Sequence, residues 1–169
     1  AVQNVHFRNS QAAWSNLSES MRERLLLIVL LTICRRFQDC LPPVAASHLG
    51  SMIKVPTQIL NECLNRLVDL KLITPLPATD ENPSDLLYQP ARPLNRITLL
   101  DFKLLDDNFG EDPIGTSLEG LDPILIRYNQ ATGKLGEQGF FQKTLEQLFA
   151  ENPFDESRPP FALGHTPTK

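Results

Sequence analysis

The chain reads as a mainly α protein with a small β-hairpin: a winged helix-turn-helix domain followed by a C-terminal helical extension. Three observations point there. Leu25 to Leu31 is apolar on every side, a short and then a longer helical segment follow across a tight connection, and two strand-like runs flank a polar turn. A helix that is apolar all round must be central and covered by neighbours. Two closely joined helices, the second longer, outline a helix-turn-helix.

The first helix is expected to begin near Ser18 or Ser20, because Ser20 and Glu23 have capping-box spacing. It should stop before Leu41-Pro42-Pro43, where proline restricts its predecessor and offers no donor. Val44 to Met52 reads as a short helix with Val44, Ala45 and Leu49 inward, and Gly50 near its end could take a positive φ. Pro56 suits a first helical turn. It opens an amphipathic helix with Ile59, Leu60, Cys63, Leu64, Leu67 and Leu70 on one stripe. Residues 72–74 and 86–88 are strand-like and are expected to pair antiparallel around the polar stretch 78–85. Thr98 with Asp101 then caps a short helix through Leu105.

Two more helices are expected, from Leu118 to about Thr132 and from Glu137 to about Glu151. Leu121, Ile124, Leu125 and Tyr128 give the first an apolar stripe; Phe140, Phe141, Leu145, Leu148 and Phe149 give the second one. The expected organisation is a linker over 1–17, the winged helix over 18–105, the helical extension over 106–151 and a disordered tail over 152–169.

Composition limits the function classes. Formal net charge is -4, spread unevenly. Residues 1–39 carry +2, residues 40–105 are neutral, and residues 106–169 carry -6. A duplex-binding face would draw its cations from the middle third, so weak DNA affinity with little sequence preference is expected. The three cysteines, Cys34, Cys40 and Cys63, show no CxxC spacing and read as reduced thiols. No apolar run approaches the roughly 20 residues of a membrane span, and nothing reads as a signal peptide.

No catalytic motif stands out, and no enzymatic activity, metal or cofactor is expected. His6, His48 and His165 are scattered, whereas metal ligation and acid–base catalysis need convergent groups. Asp106-Asp107 and Glu111-Asp112 flank Gly110 in a loop and read as solvated. The nucleotide and nucleophile-elbow glycine motifs are missing. The sharpest candidate surface is the second helix of the helix-turn-helix. Thr57, Gln58, Asn61 and Asn65 project from one side, and amides can bond an adenine edge in two places. Lys54, Arg66 and Lys71 could meet phosphates, whereas Glu62, Asp69 and the acidic wing oppose them. Phe140, Phe141, Leu145, Leu148 and Phe149 form a second candidate surface, docking within the chain by default or forming a homodimer.

Two family resemblances accompany these readings. Gln3-Asn4-Val5-His6-Phe7, Ile33-Cys34-Arg35-Arg36-Phe37, Tyr88-Gln89-Pro90-Ala91-Arg92 and Ile97-Thr98-Leu99 resemble the cytosolic C-terminal part of YihY/BrkB-type bacterial inner-membrane proteins, which carry the legacy name ribonuclease BN. That resemblance implies that Ala1 lies just past a membrane helix, on the cytoplasmic side of the inner membrane. It also implies a protein partner or the parent membrane bundle. Ala91 to Leu99 is also similar to the segment after the wing in Rrf2-type regulators, which implies a cytoplasmic DNA-binding protein with a dimerising helix. No cysteine follows Cys63, so the three-cysteine iron–sulfur site of some Rrf2 members has no counterpart. The leading expectation is therefore a non-catalytic interaction or regulatory domain of a YihY/BrkB-type protein; the alternative is an Rrf2-like DNA-binding regulator without a cluster.

Overall fold

A computed structural model describes residues 13–77, 85–113, 115–153 and 157. The Gln3–Phe7 motif, His6, His165, most of the expected tail and the tip of the wing lie outside the described residues. Helix α1 (Glu19–Gln38) is the centre of the molecule. Leu26, Val29, Leu30, Ile33 and Cys34 form its fully buried face, and Leu25, Leu27 and Leu31 are only partly buried against the core, so the all-round apolar run is not covered equally on every side. Its cap is Ser18, whose Oγ accepts from the Met21 amide at 3.1 Å, rather than Ser20. Glu23, expected in a capping box, instead reaches Lys103 Nζ at 3.1 Å.

Strand β1 (Val44–Ala45) precedes helix α2 (Ala46–Ile53), and helix α3 (Thr57–Asp69) follows. Strands β2 (Ile73–Leu76) and β3 (Leu87–Pro90) then pair antiparallel, with Ile73 opposite Pro90 and Leu76 opposite Leu87. β1 adds to the far side of β3, with Val44 opposite Tyr88. The result is a three-stranded sheet in the order β1-β3-β2 packed on a helix-turn-helix, the winged-helix arrangement. Two corrections follow. Val44 and Ala45 are strand rather than the start of a helix, because the sheet offers their backbone a ladder partner before the helix begins. The positive φ falls on Lys54 (57°), not Gly50, because the turn between α2 and α3 comes four residues later. Pro56 occupies the cap just ahead of α3. Pro75 in the outer strand β2 removes one ladder donor, which blunts an exposed sheet edge.

Helix α4 (Leu99–Asp107) begins with the expected capping box, Thr98 accepting from the Asp101 amide and Asp101 accepting from the Thr98 amide. Beyond it the chain departs from the two long helices expected. Helix α5 (Pro123–Gly133) lies between 3-10 turns at Gly115–Gly120 and Lys134–Glu137. The segment expected as one helix over 137–151 is broken into α6 (Gly139–Gln142) and α7 (Leu145–Glu151). Lys143 and Thr144 are extended. Thr144 forms an isolated bridge with Thr98 and a capping box with Gln147. That capping box starts a new helix where a continuous one was expected.

The expected apolar stripes meet different fates. Leu145, Leu148 and Phe149 are buried, α7 packs on α1, and Phe141 packs partly against the core. Arg35 stacks over the Phe149 ring at 4.5 Å and donates to the Asn152 carbonyl at 2.6 Å, which fixes α7 to the end of α1. Phe140, in contrast, is 57% exposed, and α5 buries none of its residues. Leu121, Ile124 and Tyr128 are 78%, 69% and 63% exposed, so this stripe is not buried within the chain. Its flanking 3-10 turns carry α5 away from α1, and they are its principal contacts.

Cys34 and Cys63 are buried, which pushes both thiols up to about 12 and leaves them protonated and unreactive. If α7 is part of the cooperative unit, Leu145→Ala should cost about 2–5 kcal/mol. Chemical denaturation should show that loss with no dependence on protein concentration. A concentration-dependent change would place Leu145 at a contact between chains instead.

Candidate nucleic-acid interface and the cleft beside it

Helix α3 presents three faces because residues follow one another at about 100° around its axis. Leu60, Cys63, Leu64 and Leu67 face the core. Thr57, Gln58, Asn61, Asn65 and Asp69 are exposed on the opposite side. The structure therefore brings together the neutral hydrogen-bonding residues singled out from the sequence, with one carboxylate among them. Lys54 and Lys71 are exposed at the two ends of α3, both with left-handed backbone, φ 57° and 60°.

Arg66 does not join them. At that angular step it lies about 140° around the helix from Asn61, and its guanidinium is enclosed by other groups. It pairs with Asp106 at 3.3 Å, lies 4.3 Å from the Phe109 ring and 5.6 Å from the Trp14 ring. Trp14 is itself buried, and Arg22 approaches the same ring at 6.0 Å. Burial pushes the Asp106 carboxyl above its ordinary range, and the Arg66 guanidinium pulls it only part of the way back. The phosphate-contact role expected of Arg66 is corrected: the side chain ties α3 to the end of α4.

The same corner contains the only acidic cluster identified among the described residues. Glu23, Asp106 and Asp107 bring carboxylate oxygens within 4.8 Å of one another. Lys103 reaches Glu23 at 3.1 Å and Asp107 at 3.2 Å, and Arg66 holds Asp106. Side-chain cations thus accompany the carboxylates, so the arrangement is an ion-pair network joining α1, α3 and α4.

On the other flank of α3 is an open cleft of about 530 Å³ between α2, α3 and the start of β3. Thr57 and Asn61 belong both to this cleft and to the exposed face of α3. Ser47, Ser51, Asp85 and Tyr88 complete its polar wall, and Val55, Leu60 and Leu86 its apolar one. Ser47 Oγ donates to Asp85 Oδ2 at 2.6 Å, tying the base of the wing to α2. The sequence reading passed over Ser47, took Asp85 only as part of the acidic wing and Tyr88 as part of a strand-like run. A signal was present in Ser47 and Ser51, four residues apart on one side of a short helix, but their neighbour across the cleft is about 40 positions away.

No protein-family model matches this chain, and no curated protein matches it. Among solved structures it is similar to CymR (YrzC), the global cysteine regulator of B. subtilis, with a TM-score of 0.52 and 14% identity. The alignment covers 80% of this chain and 98% of that one. At that identity the likeness concerns the fold, and the fold is a winged helix. The resemblance to YihY/BrkB-type proteins receives no support from these comparisons, and among the described residues no helix is long and apolar enough to cross a membrane.

The enclosure of Arg66 has a measurable consequence. Arg66→Ala should lower stability by about 1–2 kcal/mol through lost stacking and packing. It should leave the salt dependence of any DNA binding unchanged, since that slope counts neutralised phosphates. A shallower slope in the variant would return Arg66 to the phosphate-contacting set.

Proposed function

We propose that this chain is a non-catalytic DNA-binding regulator, Rrf2-like but without an iron–sulfur cluster, that works as a homodimer. The observation that carries the reading is the exposed row of Gln58, Asn61 and Asn65 on the second helix of a winged helix-turn-helix. Carboxamides read base edges without adding charge. The likeness to a solved regulator and the resemblance of Ala91 to Leu99 both favour this over the membrane-associated reading.

Few cations accompany that row. With Lys54 and Lys71 as the phosphate contacts of one copy, the slope of log K against log salt should be about -2 per protomer. Discrimination then rests on the amides. On a sequence selected from random duplexes, Gln58→Ala and Asn61→Ala should each lose about 1–3 kcal/mol of discrimination and leave non-specific binding nearly unchanged. Anisotropy titrations on selected and scrambled duplexes check this. Equal losses on both duplexes would remove the amides from base reading.

The dimer reading rests on α5. A helix with Leu121, Ile124 and Tyr128 mostly in water requires a cover, since burying each such side chain is worth about 1.5–3 kcal/mol. Its charge is ordered along the chain: Glu119 and Asp122 stand at the start, Arg127 and Lys134 further on. Antiparallel packing of two copies sets opposite charges against each other. Leu121→Asp with Ile124→Asp should convert a dimer to a monomer in sedimentation while the winged-helix core still melts cooperatively. A wild-type chain that is monomeric at about 100 μM, weaker than a dissociation constant of that order, would remove the dimer from the proposal.

A further inference from the structure

The cleft between α2, α3 and β3 carries three features that converge on one kind of ligand. The first is the start of α3. This helix has 13 residues, its cap position is Pro56, and no side chain caps its first turn. Its first amides lie at the positive end of the helix dipole with no side-chain cap, and Thr57 at the start of the helix lines the cleft. That end favours a carboxylate or another small anion.

The second feature is Tyr88. It is only 7% exposed, it lines the cleft, and among the described residues its hydroxyl has no hydrogen-bond partner. The ring is covered while the hydroxyl keeps contact with water at the cleft, which leaves it open to a ligand. Burial, reinforced by the nearby Asp85 charge, pushes the phenol further up, so it stays a proton donor. The third feature is Asp85. It accepts one bond from Ser47 Oγ at 2.6 Å, and a carboxylate has further acceptor sites for a cationic donor. Between these groups, Val55 and Leu60 supply an apolar surface.

We infer that this cleft binds a free α-amino acid, its carboxylate at the first turn of α3 and the Tyr88 hydroxyl, its ammonium on Asp85, and its side chain against Val55 and Leu60. The lining offers amide and phenol donors together with a carboxylate, a set that suits a small zwitterion. The volume of about 530 Å³ falls in the range of small-molecule sites. Because Thr57 and Asn61 also belong to the exposed face of α3, an occupied cleft would alter DNA engagement. That regulatory consequence rests on the proposed function; the binding itself does not.

The test uses the full chain without DNA. Each of the twenty L-amino acids is titrated calorimetrically, and at least one is expected to bind with a dissociation constant of about 1 mM or tighter. Tyr88→Phe keeps the ring and its packing, so it should melt like the parent while weakening the best binder about tenfold. Asp85→Asn should weaken that binder similarly but leave the affinity for the corresponding amine-free carboxylic acid unchanged. The inference is overturned if no amino acid binds more tightly than about 10 mM, or if the best binder is indifferent to both substitutions. Binding by the chain in the absence of any DNA affinity would keep the cleft and remove the regulator, so the two failures are distinguishable.

Discussion

How α1 is covered governs the rest of this molecule: one face of the helix is fully buried, and Leu25, Leu27 and Leu31 beside it are partly buried. Leu26, Leu30 and Cys34 have no exposed surface, and Val29 and Ile33 have almost none. The cover comes from parts of the chain far apart in sequence. α3 and β3 pack on α1, and α7 returns to it so late that the Arg35 to Asn152 bond spans 117 residues. Even the polar residue within the core is satisfied locally: the Thr32 hydroxyl donates to the Ile28 carbonyl at 2.7 Å, one turn back. Since α3 and β3 both seat on α1, the position of the reading helix relative to the wing follows from how that one helix is covered.

The guanidinium groups show why charge counting alone describes the surface poorly. Arg22, Arg35 and Arg66 each lie over an aromatic ring, respectively Trp14, Phe149 and both Trp14 and Phe109. A stacked arginine serves as packing as much as charge. Arg35 and Arg66 join elements distant in sequence, Arg22 reaches a ring close to it in the chain, and none of the three belongs to the exposed amide face of α3. The neutral middle third of the sequence is therefore less cationic at the reading face than its formal balance suggests. What remains on α3 is a set of amides, which favours discrimination over raw affinity.

How much of this was legible in the sequence depended on what each signal encodes. Periodicity located α1, α3 and the buried stripe of α3, because a helix records its inward face in its own residues. The antiparallel pairing around the wing was legible from the strand-like runs, although the strands sit one to two residues later than expected. β1 was not, since a two-residue strand has no period and Val44 is apolar in either conformation. The break ahead of α7 was written in the sequence as Thr144 and Gln147, a capping pair that a continuous apolar stripe obscured. Arg66 was misplaced because a helix position gives an angle, not a partner, and Trp14 and Asp106 are 52 and 40 residues away. The opposite fates of α5 and α7 were hidden for the same reason. Both stripes call for burial, but only tertiary tethering decides which one reaches α1.

The two flanks of α3 differ in a way that bears on control. The Arg66 flank is held by an ion pair and two aromatic rings, and through Lys103 and Glu23 the same network continues to α1. The Thr57 and Asn61 flank faces an open cleft, whose far wall is braced by the Ser47 to Asp85 bond and by the Ala46 amide donating to the Leu86 carbonyl at 3.3 Å. A rotation or shift of α3 would break several contacts on the first side and few on the second. A ligand in the cleft would meet α3 on its less restrained flank. The residues it reaches there are neutral hydrogen-bonding groups rather than the cations at the helix ends. On the proposed function, control exerted at that flank would change which sequence is read more than how strongly DNA is held, because affinity would rest on charge and discrimination on the amides.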